Sequence, residues 1–364
     1  MIKVLHLVGV MNRAGLETFI MNIYRNIDKE NYEFDFLCTL GIKGEYDEEI
    51  QNYGGKIFYM PLKTTGGVKR HVYNYHLMKK ELRRYTTKYD VLHIHNYHAF
   101  DSLIAAIPAV QAGFNKVIVH SHSTSAEFHV GLHKLARPIL NKLKITKLAC
   151  SKAAGMWLFG KDDIQVISNG VDVQKYQFNQ RSRDKYRKML SIEDNYVIGH
   201  VGRFEYVKNQ KFLCKMLSVL INKIPRLKIV FVGDGCEKDK IEALCKEKDL
   251  IDHVIFLGSR DDVDKLYQAF DVFVLPSYFE GIPLSIIEAE SSGLPCVLSN
   301  GVPKDVDIVP NVYHEDIDNM EAWEKIIFFL QENTIDRTTN ADMLIKAGYD
   351  IRNSCKKLQE IYEL

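Results

Sequence analysis

The sequence has few of the features that mark disordered, membrane-spanning or disulfide-stabilised chains. Among its 364 residues there are only 9 prolines, and no apolar run approaches the roughly 18 residues that cross a bilayer. The 7 cysteines are scattered without a C-x-x-C pair, which favours reduced thiols, as in the cytoplasm, over a disulfide framework. The net charge of +1 argues against a dedicated nucleic-acid binder. What remains, 46% apolar and 11% aromatic residues, is enough for two ordinary domains.

Charge and histidine are distributed unevenly along the chain. Residues 1–180 contain 23 Lys/Arg and 16 Asp/Glu, whereas the remaining residues contain 25 and 31. Ten of the 13 histidines also lie in the first half. The first half is therefore basic and the second acidic, which predicts two domains with different ligands.

Short apolar runs alternate with amphipathic segments of helical length. The predicted strands of the first half are IKVLHLV (2–8), FDFLC (34–38), KIFYM (56–60), VLHIH (91–95), KVIVH (116–120) and KLAC (147–150). Those of the second half are VIGHVGR (197–203), KIVFVGDG (228–235), VIFLG (254–258), DVFVLPS (271–277) and PCVLS (295–299). Continuous apolar runs indicate strands buried on both faces, hence parallel sheets with helices on each side. The opening segment is expected to be a strand rather than a secretory leader, because Asn12 and Arg13 occupy the cleavage position.

This alternation predicts an α/β protein of two doubly wound, Rossmann-like parallel-sheet domains that face each other across a cleft. The N-terminal domain is expected over residues 1–180 and the C-terminal domain over 181–345, with the polar run QRSRDKYRK at the junction. Residues 346–364 are expected to form a helix that crosses back to the N-terminal domain. Folds of this kind bind ligands at the carboxyl ends of their strands.

The segment SYFEGIPLSIIE (277–288) follows a buried strand and opens a helix. Pro283 is expected at the first helical position, so that the free N–H groups of the helix could receive a phosphate. Gly281 would let the backbone approach a ligand closely. Glu280 lies in the loop, and Glu288 lies among apolar and small neighbours, an unusual place for a solvated carboxylate.

A second loop, GRFEYVKN (202–209), follows the first strand of the second half. It carries Arg203 and Lys208, five residues apart, just before a predicted helix. Two cations at the carboxyl end of a strand are well suited to holding a pyrophosphate.

Together these two segments resemble the retaining glycosyltransferases of family 4, which have the two-domain GT-B fold. The most specific part is the E-x7-E element from Glu280 to Glu288 with the intervening GIPLSII. Supporting pieces are VISNGVD (166–172), VGDG (232–235) and FLG (256–258). The resemblance covers most of the chain. Its SNGVPKDVDIVPNV segment (299–312) and closing helix are similar to the branch that builds bacterial capsular polysaccharides and exopolysaccharides.

The resemblance implies a UDP-sugar donor bound mainly by the C-terminal domain. Arg203 and Lys208 would neutralise its diphosphate, Glu288 would accept hydrogen bonds from the ribose hydroxyls, and the base would rest on main chain near Gly258–Arg260. The family also places a Gly-Gly turn after the first strand. This sequence has Ala-Gly there, so only Gly15 matches.

The resemblance further implies which groups meet the transferred sugar. Glu280 would position it and offset developing positive charge. The backbone that would lie against sugar and phosphates belongs to Gly281, Ile282, Pro283 and Leu284. A histidine after a strand of the first domain would also face the sugar. His120 and His122 share a strand face, so spacing leaves both open, and the strand end favours His122. His95 and Asn96 would line the acceptor side.

Neither a metal nor another cofactor is expected. Three D-x-D triplets could hold Mg²⁺ in a metal-dependent transferase, and four histidines of the first half could form a zinc site. Neither the spacing of these acidic residues nor that of the histidines is a specific signal of metal binding. Two cations and a helix N-terminus can neutralise the diphosphate charge without a metal ion. The glycine spacings also do not fit a dinucleotide-binding or P-loop motif.

The expected acceptor is a glycan or a polyprenyl-diphosphate-linked sugar in surface polysaccharide synthesis. Basic segments of the first domain, HKLARPILNKLKITK (133–147) above all, would then meet the anionic inner face of the plasma membrane. Two alternatives remain open. One is a non-hydrolysing UDP-sugar 2-epimerase of the same architecture, and the other is a non-catalytic nucleotide-sugar-binding protein.

Overall fold

The computed structural model describes residues 1–124, 129–161, 163–333, 335–337 and 341–363. The chain divides into two compact units. The first comprises Met1–Asn169 together with Ile351–Leu364, and the second comprises Gly170–Asp350.

The first unit contains a seven-stranded, all-parallel sheet in the order β3-β2-β1-β4-β5-β6-β7. Its strands are β1 (Ile2–Val8), β2 (Tyr32–Cys38), β3 (Ile57–Tyr59), β4 (Val91–Asn96), β5 (Lys116–Ser121), β6 (Thr146–Ala149) and β7 (Gln165–Val166). Its helices are α1 (Gly15–Asn26), α2 (Asp47–Asn52), α3 (Gly67–Leu82), α4 (Ala99–Ala112), α5 (Val130–Lys142), α6 (Lys152–Phe159) and the C-terminal helix (Ile351–Glu363).

The second unit contains a six-stranded parallel sheet in the order β10-β9-β8-β11-β12-β13. Its strands are β8 (Tyr196–Val201), β9 (Leu227–Val232), β10 (Val254–Phe256), β11 (Val272–Leu275), β12 (Cys296–Ser299) and β13 (Val312–Glu315). Its helices are α7 (Val173–Tyr176), α8 (Gln180–Met189), α9 (Gln210–Leu220), α10 (Lys238–Glu247), α11 (Val263–Ala269), α12 (Leu284–Ser291), α13 (Met320–Glu332) and α14 (Ala341–Lys346).

Both sheets confirm the predicted doubly wound, parallel α/β class. Their central strands are buried on both faces, as continuous apolar runs require; β11, for example, is buried at all four residues. In each sheet the strand order reverses beside the first strand, between β1 and β4 and between β8 and β11. Such a reversal leaves a crevice at the carboxyl ends of the two strands, where ligands of doubly wound sheets bind.

The structure divides the chain earlier than the sequence analysis placed the boundary. Residues 170–180 and the polar run that follows them belong to the second unit, in which the run forms α8. Arg183 and Arg187 explain this, because both guanidinium groups donate to the carboxylate of Asp271, which immediately precedes β11. Arg187 also donates to the carbonyl of Ala269 at 2.9 Å. The polar run that the sequence analysis placed at the junction is thus a basic amphipathic helix of the second unit.

Two further differences concern the ends of the second unit. The sequence analysis did not predict β13, whose residues VYHE are only partly buried because this strand lies at the sheet edge. The C-terminal helix begins at Ile351 and belongs to the first unit, whereas residues 346–350 stay with the second. Tyr362 anchors the helix there, since its hydroxyl lies 2.8 Å from Nδ1 of His93.

Candidate active site

Two loops lie together at the reversal point of the second sheet. One follows β8 and the other follows β11. The amide of Tyr278 donates to the carbonyl of Val207 at 2.8 Å, and the side-chain amide of Asn209 donates to the carbonyl of Pro276 at 3.2 Å. The rings of Tyr206 and Tyr278 stack with centroids 4.9 Å apart. The loops that the sequence analysis singled out therefore form one continuous surface.

An ion pair occupies the centre of this surface. The Lys208 ammonium lies 2.6 Å from Oε1 of Glu280, and only 19% and 11% of the two side chains are exposed. The hydroxyl of Ser277 donates to the same carboxylate oxygen at 2.6 Å. Two opposite charges are thus fixed where β8 and β11 end. Sequence reasoning missed Ser277, although its place directly after β11 was a usable signal.

Arg203 is not part of this pair. Its guanidinium lies 3.2 Å from Oε1 of Glu205, and about half of the side chain is exposed. Its main chain is held more firmly, because the side-chain amide of Gln210 donates to the Arg203 carbonyl at 2.8 Å. The structure therefore brings Lys208 to Glu280 directly and leaves Arg203 at the edge of the same loop.

The segment Gly281 to Leu284 leads into α12. This helix begins at Leu284, so Pro283 occupies the residue before it rather than the predicted first helical position. The first amides of a helix have no partner within the helix and favour negative charge. An ideal Cβ on Gly281 would meet no heavy atom of the described residues within 4 Å. The approach to these amides and to Ile282 is therefore open on the Gly281 side.

Glu288 lies one turn into α12 and is almost completely buried, with 6% exposed. The hydroxyl of Tyr267 has two acceptors within hydrogen-bond distance, Oε2 of Glu288 at 3.1 Å and the carbonyl of Ser285 at 2.9 Å. Burial raises the pKa of Glu288, while hydrogen bonds from Tyr176 and Tyr267 favour the charged form. A buried carboxylate whose pKa is shifted by burial and by specific hydrogen bonds is typical of a functional site. Sequence reasoning missed Tyr267, because α11 offered no motif.

Glycines bring the ends of β8, β9 and β10 close together. Gly233 donates its amide to the carbonyl of Gly258 at 2.8 Å, and Gly202 donates to the carbonyl of Val232 at 3.0 Å. A Cβ on Gly233 would lie 2.1 Å from the Gly202 carbonyl oxygen, and its φ of +136° is left to glycine. VGDG and FLG therefore lie at one edge with the Arg203 loop. Beyond them, Arg260 forms a two-pronged ion pair with Asp262.

A layer of five histidines covers one face of the first sheet near its reversal point. They come from β1, β4 and β5 and the residue after β5: His6, His93, His95, His120 and His122. Parallel register brings them together, because β1 and β4 pair His6 with His93, and β4 and β5 pair His95 with His120. Phe19 of α1 covers His120 and His122.

His120 and His122 lie side by side, with ring centroids 4.1 Å apart, as strand alternation predicts. His120 is fully buried within β5, whereas His122 follows the strand and is partly exposed. His95 is buried, and its two ring nitrogens lie 2.9 Å from Nδ1 of His6 and 3.0 Å from Nε2 of His122. Because both nitrogens are engaged within the layer, His95 has none left for an acceptor. Asn96 accepts from the amide of His98 at 3.2 Å.

Gly15 is the first residue of α1, beside the reversal point of the first sheet. An ideal Cβ there would meet nothing within 4 Å of the described residues. Like Gly281, it is a backbone position that leaves space on its outer side. Ala14 occupies the preceding cap position in an extended conformation.

Among the described residues, two groups of three histidines have nitrogens within 4.8 Å of one another: His6, His93 and His95, and His95, His120 and His122. Imidazole nitrogens are good ligands for zinc and related metals. In both groups, however, His95 already uses both nitrogens in hydrogen bonds with other imidazoles. Arg260 engages both carboxylate oxygens of Asp262, a D-x-D residue.

Two Rossmann-like parallel-sheet units with ligand loops at their strand ends have the architecture of the GT-B fold. The family model "Glycosyltransferase Family 4" matches residues 13–175, and "Glycosyl transferases group 1" matches residues 182–350. EpsF of Bacillus subtilis, which is named as a glycosyltransferase, is 31% identical, over 100% of this chain and 96% of its own. The chain therefore belongs to glycosyltransferase family 4.

Other relatives match over nearly full length. A UDP-Gal:α-D-GlcNAc-diphosphoundecaprenol α-1,3-galactosyltransferase of Escherichia coli is 26% identical, over 99% of this chain and 96% of its own. The capsular polysaccharide glycosyltransferase CapH of Staphylococcus aureus is also 26% identical, over 100% and 99%. HepE of Anabaena, solved with UDP-glucose, has the same fold, with a TM-score of 0.80, 20% identity and full coverage of both chains. No helix in the described part of the chain is long and apolar enough to span a membrane.

Proposed function

We propose that this glycosyltransferase moves a hexose or N-acetylhexosamine from a UDP-sugar to a lipid-linked glycan, with retention of configuration and without a metal ion. The observation that carries the proposal is the Lys208–Glu280 pair beside the first turn of α12. It places a cation, a carboxylate and the N-terminal turn of a helix where β8 and β11 end. The UDP-glucose bound to HepE, and the donor and lipid-linked acceptor in the name of the E. coli relative, support the substrate class.

In this proposal the donor binds mainly to the second unit. Lys208 and the amides at the start of α12 hold the diphosphate, and Arg203 turns from Glu205 to join them. Glu288 accepts hydrogen bonds from the ribose hydroxyls. The base rests on main chain near Gly258, where no described atom lies within 4 Å of an ideal Cβ.

Transfer then proceeds on one face of the sugar. The bond from the anomeric carbon to the UDP oxygen breaks, and the acceptor oxygen bonds to the same carbon. The acceptor proton passes to the departing phosphate oxygen. Glu280 offsets the positive charge that develops on the sugar, and His122 positions the sugar. Lys208 stabilises the leaving diphosphate, so groups of the protein neutralise its negative charge.

A binding panel tests the donor assignment. UDP-, GDP- and ADP-sugars are added to the full chain in EDTA, and thermal shifts are recorded, followed by UDP release with polyprenyl-diphosphate-linked acceptors. We expect a UDP-sugar to stabilise the protein and to release UDP only with an acceptor. Sugar interconversion without acceptor would indicate the epimerase instead, and binding without release under any acceptor would indicate a non-catalytic protein.

His122→Ala is expected to lower kcat by about 10- to 100-fold while the donor still binds, because the histidine orients the sugar rather than the nucleotide. Steady-state UDP release and donor titration separate the two effects. His76→Ala, an exposed histidine of α3, is the matched control and should change neither value. A His122→Ala variant as active as the parent would remove His122 from the proposal.

Gly281→Ala tests whether a ligand occupies the open side of Gly281. The fold has room for the methyl group, so we expect an unchanged melting temperature. The donor KM should rise by roughly tenfold, because a Cβ would keep phosphate from the backbone. Gly131→Ala, in α5, is the control, because a Cβ there likewise meets no heavy atom of the described residues within 4 Å. If both alanine variants keep the parent KM, the donor does not lie against Gly281.

The acceptor proposal predicts membrane docking through α5. Leu135 and Ile139 lie four residues apart on this helix and are 74% and 52% exposed, beside the exposed Lys134 and Lys142. Such a face favours an anionic bilayer. Leu135→Glu should lower binding to vesicles of anionic lipid at least severalfold in a flotation assay. Phe329→Glu, an exposed aromatic of α13 in the second unit, should not. Equal flotation of both variants would contradict docking through α5.

A further inference from the structure

Three of the five histidines form a hydrogen-bonded row, which we call the imidazole row: His6, His95 and His122. Nδ1 of His6 lies 2.9 Å from Nε2 of His95, and Nδ1 of His95 lies 3.0 Å from Nε2 of His122. A neutral imidazole has one N–H and one bare nitrogen. The middle ring therefore donates to one neighbour and accepts from the other.

The imidazole row is neutral at physiological pH. Burial lowers the pKa of His6 to about 3 and lowers the pKa values of His95 and His122 well below the ordinary value for histidine. Neighbouring imidazoles add to this, because protonating one ring disfavours charge on the next. Each ring therefore carries a single proton.

Only two proton orders satisfy both hydrogen bonds. In the first, all three rings carry the proton on Nδ1, and Nδ1 of His122 is a donor. In the second, all three carry it on Nε2, and Nδ1 of His122 is an acceptor. The ends of the row, Nε2 of His6 and Nδ1 of His122, are buried and have no hydrogen-bond partner among the described residues. A ligand group that forms a hydrogen bond with either end of the row therefore determines the tautomer of all three rings.

We propose that His6 and His95 are positioning residues that act through His122, and that they hold its Nδ1 as a hydrogen-bond donor to an oxygen of the bound sugar. This rests on the proposed function of His122. The ring ether oxygen of the sugar only accepts hydrogen bonds, whereas its hydroxyls both donate and accept. A contact between Nδ1 of His122 and the ring oxygen therefore selects the order with protons on Nδ1. His6 helps to fix the tautomer of His122, although His95 lies between the two and the ring of His6 stacks on Phe36.

A parallel row supplies a matched control. The Tyr362 hydroxyl lies 2.8 Å from Nδ1 of His93, and Nε2 of His93 lies 3.3 Å from Nδ1 of His120. Tyr362→Phe breaks this second row at its far end without touching the imidazole row. It is as buried as His6, so general loosening of the layer should affect both variants alike.

The first measurement is ¹⁵N NMR of the full chain labelled at histidine, in EDTA, with and without UDP-sugar. We expect His6, His95 and His122 to share one tautomer in each state and the Nδ1–H form when the UDP-sugar is bound. Mixed tautomers, a charged ring, or an unchanged Nε2–H form with bound sugar would overturn the proposal. In a separate titration without EDTA, stoichiometric Zn²⁺ uptake that replaces the His95–His122 hydrogen bond would also overturn it.

The second measurement compares variants at the far end of the row. His6→Phe keeps an aromatic ring beside Phe34 and Phe36 but removes the N–H donor, and should lower kcat about tenfold at unchanged KM. His6→Asn returns an amide N–H near the position of Nδ1 and should recover most of the loss. Tyr362→Phe should keep the parent kcat. Equal losses in His6→Phe and Tyr362→Phe would show a structural role and overturn the proposal. A parent chain without UDP-sugar turnover would instead refute the proposed function. The NMR measurement would still show whether the three rings of the row share one tautomer.

Discussion

Glu280→Gln is expected to lower kcat by about two to three orders of magnitude, with a much smaller effect on donor affinity. The substitution preserves shape and removes only the charge. In the proposed mechanism that charge faces the sugar as positive charge develops, and it also holds Lys208 at 2.6 Å. The loss should therefore appear in the chemical step, measured as acceptor-dependent UDP release at saturating donor.

Two variants make this prediction specific. Glu205→Gln removes a carboxylate of the same surface that is 40% exposed, and should leave kcat near the parent value. The double variant Lys208→Met, Glu280→Gln should lose less kcat than the product of the two single losses. Each single variant already breaks the same Lys208–Glu280 interaction. A Glu280→Gln enzyme within twofold of the parent kcat would show that this carboxylate has no part in the reaction.

Glu288→Gln is expected to weaken donor binding by about 10- to 100-fold and to stabilise the ligand-free protein at neutral pH. The first effect follows from losing charge-assisted hydrogen bonds to the ribose. The second follows from burial, which raises the pKa of Glu288 above its ordinary value of 4.5. The folded protein then holds the proton more tightly than the unfolded chain, so the carboxylate costs stability as the pH rises above 4.5.

Urea unfolding at several pH values measures the second effect. The gain of Glu288→Gln over the parent should be absent near pH 4 and should grow towards pH 7. Glu321→Gln is a suitable control, because its ion pair with Lys325 lowers the pKa of this exposed carboxyl and leaves no burial cost to relieve. Unchanged donor affinity in Glu288→Gln would show that Glu288 does not bind the ribose. A pH-independent stability difference would contradict the burial argument.

Much of the fold and of the second-unit site could be predicted from sequence. Continuous apolar runs located the central strands, and two loops at strand ends located the Lys208–Glu280 surface. The edge strand β13 could not be found, because a strand with one neighbour and polar residues has no distinctive periodicity. The helix α8 was also missed, because the partner of its arginines, Asp271, is distant in sequence.

The side-chain partnerships within the sites needed the structure. Burial of Glu288 was expected from its apolar neighbours, but its hydrogen bond with Tyr267 depends on how α11 packs on α12. The sequence placed His95 on the acceptor side, whereas strand register gives both its nitrogens to His6 and His122. His6 and His122 lie 89 and 27 residues from His95, and the register between their strands is not encoded in local pattern.

Calorimetric titration of the full chain with UDP in EDTA tests the central claim most directly. We expect UDP to bind without added metal and Lys208→Met to weaken it by at least tenfold, since protein charges alone hold the diphosphate. Binding that needs Mg²⁺ or Mn²⁺, or an affinity that Lys208→Met does not change, would contradict the account.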